Sequence, residues 1–403
     1  MRSPQEYIGE NLETFKSEML EFLRIPSIST SPDHLEEVQE AASWLKGMIE
    51  QSGLQAEIHQ TPGHPIVLGE WREAGNNAPT VLVYGHYDVQ PPEPLDLWNS
   101  PPFEPEIRNG RLYGRGSADD KGQLYLHLKA AEAFLKGPGN LPVNLILLIE
   151  GEEEVGSPNL LPFVESQKDR LSCDVTLISD TSMIAPGLPS ILCSLRGLAY
   201  FHIEVRGPSS DLHSGVCGGP VVNPALALAQ ILASLQNSEG EIAIDHFYDD
   251  IVEWPAQQVE ALKTLPFDKG DFEESIGREL CGGEQQYTVL ERLWTRPTVE
   301  VNGLNSGYTG EGAKTVLPSV AQAKVSFRLV SDQTPERIEV LFRQHVEQVT
   351  PKGVEVTIRH LHGGMPWRSQ LNEKLKSAVD SALTKVFDKE SVIAGEGGSI
   401  PIV

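Results

Sequence analysis

Cysteine is scarce, with four in 403 residues. Cys173, Cys193, Cys217 and Cys281 are far apart and form no Cys-x-x-Cys pair. That pattern suggests neither a disulfide framework nor a thiolate zinc site. Cys193 and Cys217 remain a formal pair, but a cytosolic protein would not keep that bond. Basic residues are also in short supply: 32 Lys and Arg against 57 Asp and Glu leave a net charge of -25. That deficit argues against a nucleic-acid backbone or an anionic membrane as partner, since both call for a basic patch. It favours solubility and suits a site that gathers divalent cations. No apolar run is long enough to span a bilayer. The opening residues, Met1 to Tyr7, lack the apolar core of a signal peptide and read as the start of a cytoplasmic protein. There is no internal repeat and no low-complexity tract.

At 403 residues the length suggests two or three domains. Residues 5–24 and 34–51 place apolar side chains at helical spacing, with Pro26 and Gly53 as stops. Apolar runs at 66–68, 80–84, 143–149 and 175–178 follow, with a helical segment at 122–135. Continuous runs of this kind fit strands buried on both faces, so residues 1–195 read as an α/β domain whose sheet is covered by helices. The texture changes after Leu195. An alternating strand at 200–205, a helix at 223–235, strands at 299–304 and 323–329, a helix from Pro335 behind the N-cap Thr334, and a strand at 354–361 follow. That order is a small α+β sandwich of ferredoxin-like type. Residues 237–297 read as polar and irregular. From Pro366 the chain returns to an amphipathic helix, 371–387, and a Gly-rich end.

The acidic residues and one histidine fall in telling places. His86 and Asp88 directly follow one buried run, Glu150 to Glu154 another, and Asp180 a third. Ligands of open α/β sheets bind beyond the carboxyl ends of the strands, so three strands deliver metal-type ligands to one sheet edge. Between them lies a Gly-rich loop, 114–122, with Asp119 and Asp120. Each piece alone has a plainer reading. A strand-end His can simply hydrogen-bond, an acidic run is usually solvated, and a Gly-rich loop can cradle phosphate, although no Gly-Lys-Ser/Thr follows this one. Together they place carboxylates where they repel one another unless cations compensate. Mixed His and carboxylate donors suit Zn or Mn better than Ca or Mg.

With these motifs assembled, the chain resembles the M20 family of metallopeptidases, most closely its carnosinase-like and cytosolic dipeptidase branch. The resemblance rests on residues 85–90, 114–122, 150–157, 179–180, 211–215, 310–316, 362–367 and 397–401. It implies a zinc-exopeptidase-like catalytic domain, with a mostly parallel sheet covered by helices, formed by residues 1–195 and 363–403. Residues 196–362 would form an inserted lid and dimerisation domain. It implies two divalent metal ions per subunit, Zn first and Mn as the alternative. His86 and Asp180 would hold one, Glu154 the other, and Asp119 would bridge them, with a cis peptide bond to Asp120. Asp88 would fix the His86 tautomer. Glu153 would act as general base on a water held by both metals, which attacks the peptide bond of a dipeptide or short peptide. His213 would cross a homodimer interface to polarise the substrate carbonyl. Arg328 would clamp the substrate carboxylate, and Thr315, His362 and Ser399 would add contacts.

The match departs from the family pattern in two places. The family has a fifth ligand, a His some tens of residues beyond the 397–401 motif, whereas here no His follows His362. Gly395 also stands before Glu396, where the branch commonly has Arg. Because the base, bridge and other ligands are retained, we expect an active enzyme whose reading frame runs further. Two rival readings are an N-acyl-amino-acid deacylase of the same family and a non-catalytic peptide- or metal-binding protein with a decayed site.

Overall fold

The apolar runs that glycine and proline separate in the sequence become strands, and the amphipathic segments become the helices that cover them. A computed structural model describes residues 2–369, 372–400 and 402–403. The first residue of the expected helix, Leu371, and the last of the Gly-Gly-Ser-Ile-Pro motif, Pro401, lie outside the described residues. The chain divides into two compact units, Met1–Thr181 with Ile402, and Ser182–Pro401 with Val403.

The first unit opens with helices α1 (Pro4–Arg24) and α2 (Leu35–Gln51), followed by strands β1 (Gln55–His59), β2 (Ile66–Trp71) and β3 (Thr80–His86). A small hairpin, β4 (Glu106–Arg108) with β5 (Arg111–Tyr113), precedes α3 (Lys121–Lys136). Then come β6 (Asn144–Glu150), α4 (Leu160–Ser166) and β7 (Val175–Ile178). The sheet runs β1-β2-β6-β3-β7. The strands β6, β3 and β7 are mutually parallel, while β2 runs antiparallel to both β6 and β1. β6 is buried along its whole length. Its Leu145, Leu147 and Ile149 share one apolar cluster with Phe22 of α1, Leu45 and Ile49 of α2 and Leu128 of α3. α2 lies so close to β2 that a Cβ on Gly69 would meet Ile49 Cγ2 at 3.0 Å. β7 departs from the doubly buried reading. It is an edge strand, and Thr176 and Leu177 are exposed.

Capping is consistent with the sequence. Ser3 and Glu6 form a reciprocal capping box at the start of α1. At its other end the fully buried Lys121 donates from Nζ to the carbonyls of Phe22 (3.1 Å) and Ile25 (2.7 Å). A cation there satisfies carbonyls that the helix leaves without partners.

The second unit begins with β8 (Ser190–Leu195), β9 (Gly197–Arg206), β10 (Leu212–His213), α5 (Ser214–Cys217) and α6 (Pro224–Ala233). The stretch read as irregular contains three short helices, α7 (Ala256–Leu262), α8 (Lys269–Ile276) and α9 (Val289–Trp294). Helices of six to eight residues carry too few turns for a periodic signal. Next are β11 (Thr298–Ser306), β12 (Val316–Leu317), β13 (Val320–Leu329), α10 (Pro335–Val349) and β14 (Glu355–Gly364). The described chain continues with β15 (Trp367–Arg368), α11 (Glu373–Phe387) and β16 (Val392–Glu396). The antiparallel sheet β11-β13-β9-β14 carries the ferredoxin-like order of strand, helix, two strands, helix, strand. β9 alternates buried and half-buried residues, and its inner face joins α6 and α10 in one core. Thr334 caps α10 by accepting from the Arg337 amide at 3.2 Å. A separate sheet, β15-β8-β16, joins the chain near residue 190 to its last described strand.

Among the described residues no helix is long and apolar enough to cross a membrane. At the centre of the second core, Phe327 meets Phe201, Phe342 and Phe247 at ring distances of 6.0, 5.2 and 5.5 Å. Phe327→Ala should therefore destabilise this unit by about 3–5 kcal/mol. Urea unfolding followed by tryptophan fluorescence would measure it, and a loss below about 1 kcal/mol would mean the core is not packed as described.

Candidate metal centre

His86 ends β3, and its register partner on β6 is Glu150. The β3 chain can come this close to the loop before α3 because residue 85 is glycine. A Cβ there would meet Asp120 Oδ2 at 2.7 Å. That same oxygen accepts the His86 backbone N–H at 3.1 Å.

The His86 ring is fully buried and held from both sides. Nδ1 lies 3.0 Å from the Asp88 carbonyl oxygen and 3.3 Å from Asp88 Oδ1. A ring whose Nδ1 donates to such a partner presents Nε2 to whatever lies beyond. Nε2 stands 3.0 Å from Asp119 Oδ1 and 3.8 Å from Asp180 Oδ2. One donor atom from each of His86, Asp119 and Asp180 lies within 4.8 Å of the others. The Asp119–Asp120 peptide bond is cis, as the resemblance implied.

The acidic run 150–154 divides by partner. Glu150 accepts from Tyr84 Oη (2.6 Å) and Ser157 Oγ (2.7 Å). Glu152 accepts the His64 amide at 2.9 Å and the Asn159 side chain at 2.8 Å. Those two carboxylates build the turn. Glu153 and Glu154 are tied to the centre through Asp88, whose carboxylate accepts their backbone N–H groups at 3.3 and 3.1 Å. Glu154 itself accepts from Gln90 Nε2 at 2.6 Å. Its carboxylate lies outside the three-residue group, although Asp119, His86 and Asp88 all act on its charge.

The donors fit a divalent cation. Burial, then the charge of Asp180, pushes the Asp120 carboxyl up to about 8, although His86 pulls the other way. Burial and the neighbouring Glu154 push Glu153 up to about 8, and burial and Asp119 push Glu154 up to about 7. Asp120 Oδ1 is buried without a hydrogen-bond partner. Burial opposes charge on His86, yet its bonds to Asp119 and Asp88 raise its pKa well above the ordinary imidazole range. The pocket thus favours positive charge that no Lys or Arg ion pair to Asp119, Glu153 or Glu154 supplies among the described residues. Sequence reasoning had named Asp120 only as a neighbour of Asp119. Its burial and orphaned oxygen are visible only in three dimensions. His127 of α3, which lies 2.7 Å from Ser179 Oγ beside Asp180, carried no sequence signal at all.

Five further expected residues lie in the second unit and form two groups. His213 is exposed at the end of β10. Its Nδ1 accepts the Gly215 amide at 3.1 Å, and its Nε2 faces Thr315 Oγ1 at 3.1 Å. With Nδ1 accepting, a neutral ring carries its proton on Nε2. Arg328 of β13 donates from Nη1 to Ser399 Oγ at 3.3 Å. The exposed His362 packs edge-on against Tyr200 at 5.0 Å and feels the Arg328 charge.

A sheet of this kind, with a histidine and two carboxylates converging near its strand ends, defines an α/β protein with a candidate cation site. Residues 82–402 match peptidase family M20/M25/M40, and the chain belongs to that family. The Cys-Gly metallodipeptidase dug1 of Schizosaccharomyces pombe is 32% identical over 415 residues, covering 98% of this chain and 87% of that protein. The M20 family metallo-carboxypeptidase Sso-CP2 of Sulfolobus solfataricus is 35% identical with a TM-score of 0.85, covering 96% and 87% of the two chains. Human carnosine dipeptidase 1 is 29% identical with a TM-score of 0.86, covering 98% and 87%.

A ligand that binds only the folded state stabilises it, by about 2.7 kcal/mol at one hundred times its dissociation constant. Added Zn or Mn should therefore raise the unfolding midpoint. His86→Ala should abolish the gain, and Gly85→Ala should weaken it by displacing Asp120. Calorimetric scans with and without metal would show this. Identical scans for the unaltered protein would count against a metal centre.

Proposed function

We propose that this protein is a dipeptidase that hydrolyses the peptide bond of dipeptides or short peptides with two divalent ions per subunit, Zn first and Mn as the alternative. The observation that carries the reading is Asp88. One buried carboxylate bonds the Glu153–Glu154 turn while its own residue holds His86, so the proposed base and the proposed ligands share one rigid support. His86 and Asp180 would hold the first ion and Glu154 the second, with Asp119 shared between them. When bound, the ions lower the pKa of a water ligand and polarise the scissile carbonyl. Glu153 takes the proton from the attacking water and returns it to the leaving amine.

His213 donates from Nε2 to the developing oxyanion across a homodimer interface, with Thr315 beside it. Arg328, Ser399 and His362 receive the substrate's terminal carboxylate. The catalytic domain comprises residues 1–195 and 363–403, and residues 196–362 are its inserted lid. The pairing of β8 with β15 and β16 supports that division, because it brings those two stretches into one sheet. The edge strand β11 supports dimerisation, since Val301 and Leu304 there are 47% and 65% exposed. Four cysteines without disulfides accord with a cytoplasmic setting.

The dipeptidase names of the relatives favour this over a deacylase. Unblocked dipeptides should be hydrolysed faster than N-acetyl amino acids, and activity confined to the latter would reverse the assignment. Glu153→Gln should lower kcat by about 10²–10⁴-fold while leaving bound metal unchanged. Equal rates for the two proteins would refute the base role. Leu304→Asp should shift the mass measured by light scattering from dimer to monomer, and an unchanged dimer would move the interface elsewhere.

A further inference from the structure

Arg196 follows β8 and belongs to none of the motifs discussed so far. It is a charged side chain only 8% exposed. Its Nε donates to the Gly397 carbonyl at 3.1 Å, and its Nη1 donates to the Arg296 carbonyl at 3.3 Å. Its backbone N–H donates to the Glu396 carbonyl at 3.3 Å. Among the described residues it makes no ion pair with a carboxylate, and neither does Arg328. Arg196 Nη1 also reaches Thr298 Oγ1 at 3.5 Å, so the guanidinium meets only neutral acceptors, and one guanidinium bond and one backbone bond of Arg196 fall on the turn that carries Ser399.

The turn fits Arg196 from the other side as well. A Cβ on Gly397 would stand 3.1 Å from Arg196 Nη2 and 3.2 Å from the Leu293 carbonyl oxygen. Only a residue without a side chain lies flat on the guanidinium at that distance. Two residues later, Ser399 Oγ meets Arg328 Nη1 at 3.3 Å. Burial and then the charge of Arg328 lower the Arg196 pKa to about 10, with Glu300 and Glu396 acting the other way. Two guanidinium groups therefore lie within each other's field without a paired acid. Such an arrangement is costly by itself and favourable once an anion arrives.

We propose that Arg196 is a positioning residue for anion recognition: it clamps the Glu396–Ser399 turn so that Ser399 and Arg328 together present donors to a substrate carboxylate. The proposal deepens the carboxylate-clamp role given to Arg328 and Ser399 above and rests on that reading for its ligand. Arg196 does not touch the anion. Its part is to fix the turn and to add positive potential behind Arg328.

Two variants test this from opposite sides, Arg196→Gln and Gly397→Ala. The first removes the clamp, and the second pushes the turn off it without altering any charge. Hydrogen exchange should quicken at the amides of residues 396–399 in both, at least tenfold, while the amides of β9 and β13 stay as in the unaltered protein. Metal-loaded protein is then titrated calorimetrically with a dipeptide and with the same dipeptide as its C-terminal amide, at a temperature low enough to suppress turnover. The unaltered protein should prefer the free carboxylate, and both variants should lose at least tenfold of that preference. Arg196→Lys should restore part of the potential but not the turn. Unchanged exchange at 396–399 overturns the proposal whatever the enzyme's activity. So does faster exchange with the carboxylate preference intact. If the unaltered protein binds neither dipeptide, the peptidase reading falls, and so does the anion role of Arg196. The exchange data would then show only whether Arg196 holds the turn.

Discussion

A carboxylate withdrawn from water at the end of a strand is costly unless something compensates its charge. The first unit gathers eight carboxylates near three parallel strands and compensates them unequally. Glu150 has Tyr84 and Ser157, Glu152 has the His64 amide and Asn159, and Asp88 has the amides of the next turn. Those bonds hold backbone in place. Burial raises the pKa values of Asp120, Glu153 and Glu154, while Asp119 and Asp180 converge on one buried imidazole. The remaining demand for positive charge is what makes the place a cation centre rather than an acidic surface.

Much of this was legible in the sequence because it depends on period and order. The continuous apolar runs before His86, Glu150 and Asp180 marked strands, and strand ends mark sites. The alternation in β9 and the cap at Thr334 likewise marked the second unit. What was not legible depends on distance between residues far apart in the chain. Glu152 and Glu153 are neighbours of the same type, yet the carboxylate of one fastens a loop while the other lies in the field of His86 and Asp180. No pattern separates them without knowing where His64 and Asp88 lie. The short helices α7 to α9 were missed because a helix of two turns barely repeats. The exposed faces of β7 were missed because an apolar run does not say whether its strand ends up central or at an edge.

The second unit answers the first with opposite chemistry. There the uncompensated charge is cationic, on Arg196 and Arg328, in a chain whose net charge is -25. What sets this pair apart is burial: Arg196 is only 8% exposed, and the charge of Arg328 acts on it. The glycine at position 397 matters for the same reason as Gly85. In both places the missing side chain lets backbone lie against a charged group, so the geometry of charge is set partly by atoms that are not there.

Lys121 has a wider consequence. It sits directly after the Asp119–Asp120 pair, and its ammonium grips the last carbonyls of α1. The loop that carries Asp119 and the docking of the N-terminal helix therefore belong to one cooperative element of the fold. Fraying of the first twenty-five residues would be felt as a loosened Asp119–Asp120 loop some hundred residues later in sequence. A protease cut, a bulky fusion partner or a heat pulse acting on that helix would reach the chemistry without touching any residue that performs it.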